Sequence, residues 1–232
     1  MITGQLAVVV PARDEEEWLP ACLASINAAR EHLLRTVPRV LVSVTVVLDR
    51  CTDRSAEIAR EVPGVAVIAG SFGSVGAARH AGVGPALARS PSMPGGTWIA
   101  NTDADSTVPR DWLVRHHRLS AAQDLVLGTV RPVPTATDAE RLRRWARAYT
   151  PAEGHEHVHG ANLGIRGSTY EEIGGFQPLL QHEDVDLVRR AKAAGARWVA
   201  TAELPVSTSF RTVGRVPGGF STYLRELGRS TA

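Results

Sequence analysis

Apolar runs and amphipathic stretches alternate along the first half of the chain. Residues 6–10 form a continuous valine-rich run, the pattern of a parallel strand buried on both faces. From Glu15 to Ala29 the apolar residues Trp18, Leu19, Cys22, Leu23 and Ile26 fall at helical spacing. Residues 40–48 predict a second strand, and Ser55–Glu61 a helix that Asp53 is placed to cap. Residues 65–69 predict a third strand. Residues 70–76 predict a loop, after which Gly76-Ala77-Ala78-Arg79-His80 opens another helix. A loop rich in Pro, Ser and Gly follows at 90–96. The strand Thr97–Asn101 then stops abruptly at Asp103-Ala104-Asp105.

This alternation predicts a parallel α/β sheet flanked by helices, in one Rossmann-like domain. In such sheets ligands bind beyond the carboxyl ends of the strands. Arg13-Asp14-Glu15, Asp49 and Asp103/Asp105 all fall at that edge. Two carboxylates one residue apart at a strand end point to the same side and repel each other unless a cation sits beside them. A hard divalent cation, Mg2+ or Mn2+, takes oxygen ligands and bridges to substrate phosphates. The other reading of Asp103-Ala104-Asp105 is a polar turn ahead of the next helix, with Pro109 near its first turn.

The second half is less regular. Residues 125–130 predict a strand. Residues 138–149 predict a helix heavy in arginine (Arg141, Arg143, Arg144, Arg147), read as a solvated face. His155, His157 and His159 recur with period two. On a strand they would share a face, as in a metal cluster; otherwise they belong to a polar loop. Residues 160–165 predict a tightly packed strand, Gly174-Gly175-Phe176 a turn, and Glu183-Asp184 the start of a helix reaching about Ala194. Residues 196–200 predict a short strand. The tail carries Arg211, Arg215, Gly218-Gly219 and a final amphipathic helix.

Composition narrows the function classes. A chain of 232 residues fits one large domain. Cys22 and Cys51 are too few for a disulfide framework, which makes a reducing cytoplasm the default. No apolar run reaches the about 18 residues of a membrane span. The chain enters a strand at once, without a basic signal-peptide head. A net charge of +2 argues against a general nucleic-acid binder. Lys192 is the only lysine, and arginine suits bidentate phosphate recognition.

Taken in order, these motifs resemble the family 2 glycosyltransferases, which have the nucleotide-sugar-binding GT-A fold. Val8-Val9-Val10-Pro11-Ala12-Arg13-Asp14-Glu15 is similar to the family's opening strand and nucleotide loop. Residues 47–55 resemble its second motif, with Leu48 in place of the first aspartate, Arg50 in place of a glycine, and Asp49 kept. Gly76-Ala77-Ala78-Arg79 resembles the diphosphate-facing segment, and Asp103-Ala104-Asp105 the metal motif. His159-Gly160-Ala161-Asn162 and Gly174-Gly175-Phe176 resemble the acceptor-side strand and turn. Glu183-Asp184 resembles the motif whose aspartate is the general base. The resemblance extends from Val8 to about Ala200.

The resemblance implies a GT-A domain over 1–205, with a nucleotide-sugar half at 1–108, an acceptor half at 109–205, and a C-terminal loop and helix at 206–232. It implies transfer of a sugar from a UDP- or GDP-sugar to an acceptor hydroxyl, inverting the anomeric centre, with Asp184 as base. Mn2+ or Mg2+ would sit on Asp105 with Asp103. Pro11, Ala12, Arg13, Ala104 and Arg79 would line the donor site, with Glu15 on a ribose hydroxyl and Asp49 on the base. His159, Gly160, Ala161, Asn162 and Glu183 would lie on the acceptor side. Arg211 and Arg215 are suited to a loop closing over phosphates. Glu15 also reads as a first-turn carboxylate favoured by the helix dipole, and Asp49 as a turn former.

The late histidine that completes the metal shell in many relatives is missing from 202–232. The expected acceptor is a small molecule or lipid-linked, and the expected location is the cytoplasm, free or at the membrane periphery. The alternatives are a partner-dependent nucleotide-sugar-binding protein, a retaining transferase of the same fold, and a hydrolase with a histidine-bound metal. Nucleotidyl transfer would need a glycine-rich loop after the first strand, which residues 11–15 lack.

Overall fold

The computed structural model describes residues 3–89, 96–133 and 139–211, with Arg225 alone beyond them. In chain order the elements are β1 (Gln5–Ala12), α1 (Leu19–Thr36), β2 (Leu41–Asp49), α2 (Ser55–Glu61), β3 (Val65–Gly70), α3 (Val75–Ala88), β4 (Thr97–Asn101) and β5 (Ser106–Thr107). There follow α4 (Trp112–Ser120), β6 (Leu125–Val133), α5 (Ala139–Ala148), a 3-10 turn at Gly160–Asn162, β7 (Leu163–Arg166), α6 (Gly167–Glu172), α7 (Glu183–Ala193) and β8 (Trp198–Ser209). One sheet of eight strands runs β3-β2-β1-β4-β7-β6-β8-β5.

The valine-rich β1 sits in the middle of a parallel set, paired with β2 and β4, and β2 pairs with β3. Helices cover both faces, which is why β1 is apolar from Leu6 to Ala12 rather than alternating. One core packs α1, α2 and α4 against the sheet through Leu23, Ile26, Ala59 and Leu113. The opposite core packs α3, α6 and α7 through Val83, Tyr170 and Leu187. A small third cluster joins Trp145 and Tyr149 to Val130, Ala161 and Phe210.

The second half reverses direction. β7 is antiparallel to both β4 and β6, so its first residue, Leu163, pairs with Asn101 at the end of β4. β6 and β8 run parallel to each other and continue past that edge to Val133 and Ser209. β5, just after Asp105, pairs antiparallel with the end of β8.

Several elements differ from the expectation. α1 begins at Leu19 because turns occupy residues 16–18, and it continues to Thr36 because Ala29 and Leu33 keep the buried spacing. The strand expected at 196–200 is the start of β8, which runs to Ser209 and so crosses the boundary placed at 205. Pro205 and Glu203 interrupt its apolar pattern, and an irregularity opposite Gly128 and Val130 absorbs them. The histidine segment is a loop rather than a strand face. The cap of α2 is Arg54; Asp53, one residue earlier, accepts the Ser55 N–H at 2.9 Å. Arg215 and the expected final helix lie outside the described residues. Among the described residues no helix is long and apolar enough to cross a membrane.

Candidate functional site

A cavity of about 920 Å³ opens at the carboxyl edge of β1, β2 and β4. Pro11, Ala12, Arg13, Glu15, Asp49, Arg79, Asp103, Ala104 and Asp105 line one part of it; His159, Gly160, Ala161, Glu183 and Asp184 line another. Residues from widely separated segments therefore meet in one space, as the strand ends require.

The Asp-Ala-Asp segment turns directly from β4 into β5. The Ser106 N–H donates to the Asp103 carbonyl at 3.1 Å, and the Ser209 N–H donates to the Asp105 carbonyl at 3.1 Å. The β5–β8 ladder thus holds this turn and delivers Arg211 to it. The Arg211 guanidinium forms two bonds to the Glu15 carboxylate, at 2.7 and 2.6 Å, and reaches Asp105 Oδ2 at 3.0 Å. Arg79 reaches Asp103 at 2.5 Å and Glu183 at 3.6 Å. Each carboxylate of the pair has its own guanidinium, which relieves the repulsion inferred from sequence.

Charge is still unbalanced. Burial, then the neighbouring Asp103, push the Asp105 carboxyl up to about 6, against the pull of Arg211. Burial raises the Glu183 carboxyl, with Arg79 opposing. Asp103 and Asp105 give an all-oxygen donor pair, and together with Glu15 and Glu183 they carry more negative charge than Arg79 and Arg211 neutralise. That chemistry fits a hard divalent cation. Arg79 is almost fully buried, and its Nε and Nη1 have no hydrogen-bond partner among the described residues. A buried donor left unpaired is costly, so these N–H groups suit an anionic ligand.

Glu15 precedes α1 rather than sitting in its first turn; its carbonyl accepts the Trp18 and Leu19 N–H groups, and its own N–H donates to Ser55 Oγ at 2.8 Å. Asp49 Oδ1 accepts the Phe72 and Gly73 N–H groups at 2.7 and 3.3 Å, which folds the 72–73 loop over the end of β2. A second group, Asp14, Cys51 and Asp53, brings ligand-capable atoms within 4.8 Å of one another. None of the three lines the cavity, and their carboxylates accept the N–H groups of Thr52, Glu16 and Ser55. This group fastens the ends of β1 and β2 together.

α7 starts at Glu183, after His182 in left-handed conformation with φ of 58°. Asp184 Oδ2 accepts the Gly160 N–H at 2.7 Å, fixing the aspartate beside the turn that precedes β7. Gly160 is needed there: a Cβ would lie 2.6 Å from Arg79 Nη2. α3 packs at Gly76 against the loop ahead of α7 and the start of α7, where a Cβ would lie 2.2 Å from the Gln177 carbonyl oxygen and 3.0 Å from Glu183 Cβ.

Two expectations are corrected here. Asn162 is fully buried and does not reach the cavity. Its amide donates to the Thr129 and Leu204 carbonyls and accepts the Trp112 indole N–H at 3.0 Å, so it joins β6, β8 and α4. The three histidines do not converge on a point. Their rings stack, with centroids 5.6 Å apart for His155 and His157 and 6.1 Å for His157 and His159. Burial first, then the neighbouring His157, lower both the His155 and His159 pKa values, the latter to about 3. The sequence did not single out Trp145, Tyr149, Leu180 or Val185, which also line the cavity.

The family model described as Glycosyl transferase family 2 matches residues 7–171. Among solved structures, S. aureus TarS 1-349 in complex with UDP-GlcNAc aligns with a TM-score of 0.67 at 15% identity over 93% of this chain and 61% of that one. GalNAc-T7 with UDP, GalNAc and Mn2+ aligns with a TM-score of 0.62 at 15% identity, covering 92% and 44%. The mannosyltransferase PcManGT from Pyrobaculum calidifontis, in complex with GDP-Man and Mn2+, aligns with a TM-score of 0.58 at 18% identity, covering 95% and 68%. The chain thus spans about three fifths of the TarS fragment. No curated protein sequence matches it. At these identities the structural likeness shows the GT-A fold alone, while the family model covers well over half of the sequence, and the chain belongs to glycosyl transferase family 2.

Proposed function

We propose that the protein transfers a sugar from a nucleoside-diphosphate sugar to an acceptor hydroxyl in a single inverting displacement. The reading rests on one observation above all. Asp105 and Asp184 line the same cavity, with the buried, incompletely paired Arg79 between their neighbours Asp103 and Glu183. A leaving diphosphate needs positive charge, an incoming hydroxyl needs a base, and the cavity offers both.

The C1–oxygen bond to the diphosphate breaks, and its electron pair leaves with the nucleoside diphosphate. The acceptor oxygen bonds to C1, and its proton passes to an Asp184 carboxylate oxygen. The tether to the Gly160 N–H keeps that carboxylate in place. Arg79 donates to the diphosphate. Arg211 exchanges Glu15 for the phosphates, which leaves Glu15 for a ribose hydroxyl. Asp49 Oδ2 meets the base, while Oδ1 holds the 72–73 loop. Asp105 and Asp103 would hold Mn2+ or Mg2+, which supplies Lewis-acid neutralisation of the leaving group. Mn2+ beside a nucleotide or nucleotide sugar in two of the similar structures supports the metal, and the UDP- and GDP-linked ligands support the donor class.

A thermal-shift screen of UDP, GDP and their sugars, with and without Mn2+, tests the donor site. A ligand at 100 times its dissociation constant stabilises by about 2.7 kcal/mol. Asp105→Asn is expected to abolish the Mn2+-dependent part of the shift and the transfer. Unchanged binding and turnover in that variant would remove the metal assignment.

A further inference from the structure

The cavity lining is divided by chemistry. The donor part holds the carboxylates and guanidiniums already described. Beyond Asp184 the lining changes to Val130, Trp145, Ala148, Tyr149, Val158 and Ala161. Leu180 and Val185 line it as well and are 71% and 44% exposed, large apolar side chains left in water beside the base.

The rings in this part form an ordered column. Trp145 stacks on Tyr149 at 4.4 Å and 24° between planes, and Tyr149 on His157 at 4.2 Å and 26°. The Tyr149 hydroxyl accepts the Val130 N–H at 3.0 Å, which fixes the column to β6. Trp145, Tyr149, His157 and His159 all line the cavity. Burial lowers the His159 pKa to about 3, so this ring is uncharged near neutral pH. The Trp145 indole N–H is buried and has no hydrogen-bond partner among the described residues.

We propose that this wall is the acceptor subsite and that it takes a planar aromatic alcohol or phenol, whose hydroxyl lies at Asp184. The inference rests on the transferase reading above. A flat ring packs edge-to-face or offset against such a column, an interaction that an aliphatic chain does not make. A carbohydrate would need polar partners for several hydroxyls, and the wall supplies few. The unpaired indole N–H matches an oxygen on the ring system. Leu180 and Val185 cover the ring's outer edge.

The test uses the full chain and three probes: 4-methylumbelliferone, methyl α-D-glucopyranoside and octanol. Each is titrated calorimetrically with Mn2+ alone, and with Mn2+ plus UDP or GDP. The umbelliferone is expected to bind at least about tenfold more tightly than either other probe, a difference of about 1.4 kcal/mol. The exposed pair Leu180→Asp and Val185→Asp, which leaves the core intact, is expected to weaken it about fivefold or more. Trp145→Phe keeps a ring but removes the N–H, and is expected to weaken it by a smaller factor. Leu41→Asp, exposed at the opposite end of β2, is expected to change nothing. Equal or tighter binding of the glucoside or the octanol overturns the aromatic class, and so does no binding, or binding blind to the rim and Trp145 changes. The stated pattern without any nucleotide-induced thermal shift removes the transferase reading alone. A nucleotide shift without the pattern removes the acceptor class alone.

Discussion

Arg79→Met removes one charge and leaves a stem of similar length, and the outcome can be worked from the surroundings. The Arg79 side chain is 2% exposed, and its guanidinium carbon lies 5.8 Å from the Phe176 ring centroid. Its two partners differ. The Asp103 side chain is 37% exposed, so the freed carboxylate turns to water, and that pair counts as a surface pair worth at most about 1 kcal/mol. The Glu183 side chain is 12% exposed and stays behind without its counter-charge. Losing a buried partner costs about 3–5 kcal/mol in full, but the 3.6 Å separation is loose, and the glutamate escapes by taking up a proton. Against both losses, the buried Nη1 donors, which have no hydrogen-bond partner among the described residues, disappear from the interior, a gain of about 1–3 kcal/mol.

The net expectation is a loss of about 2 kcal/mol near neutral pH, or about 4–8 °C in Tm for a chain of this size. Its pH dependence is the sharper signature. The Glu183 pKa is raised on folding, so its contribution is complete below the ordinary 4.5 and is lost as pH rises through the folded value. Without Arg79 the folded value rises further. The deficit of the variant should therefore grow above pH 4.5 and shrink below it. Urea unfolding of wild type, Arg79→Met, Glu183→Gln and the double variant, at about pH 4 and about pH 7.5, measures this directly. A coupling of about 1 kcal/mol at the higher pH that vanishes at the lower is expected. A deficit below about 0.5 kcal/mol near neutrality, or one of equal size at both pH values, refutes the reasoning.

Gly76→Ala drives a Cβ to 2.2 Å from the Gln177 carbonyl oxygen and should lower stability by about 1–3 kcal/mol; a wild-type Tm would show that the loop at Gln177 moves away from α3 easily. Asp184→Asn should bind nucleotide sugar as before and lose about 10²–10⁴ in kcat, and NMR should find a β-linked product from an α-linked donor. Retained configuration would exclude direct displacement, and near-normal kcat would remove Asp184 as base. Burial holds the His116 pKa down to about 3, so the stability it contributes is present above its ordinary value of 6.5 and is lost as pH falls. By about pH 5 that loss is about 2 kcal/mol, and His116→Gln should remove it from the acid limb of a urea-unfolding series; an unchanged limb would assign the acid sensitivity elsewhere.

The first half of the chain was largely legible in the sequence. β4 and α2 stand where the pattern placed them, because a buried parallel strand and an amphipathic helix are local signals. The gathering of Glu15, Asp49, Asp103 and Asp105 followed from parallel strands that present their carboxyl ends at one edge. What escaped depends on distant partners. The two-residue β5 has no pattern of its own and exists because β8 lies beside it. β8 extends beyond the expected residue 200 because its pairing with β6 carries it past Glu203 and Pro205, which break its apolar pattern. Glu15 and Arg211 are separated by 196 positions, so no local rule pairs them. Asn162 sits among residues read as acceptor-facing, yet a buried amide with three structural partners has none left for a ligand.

β7 enters the sheet from the edge where β4 leaves it, and β6 departs across the same edge. α5 and the ring column therefore belong to one excursion that joins two adjacent, antiparallel strands of the sheet, β6 and β7. The ends of such an excursion stay fixed whatever its length, and doubling that length costs only about 0.6 kcal/mol in closure entropy. Transplanting it between relatives should exchange one wall of the cavity for another while the carboxylates and arginines at the strand ends stay in register, which makes this segment a natural cassette for diversification.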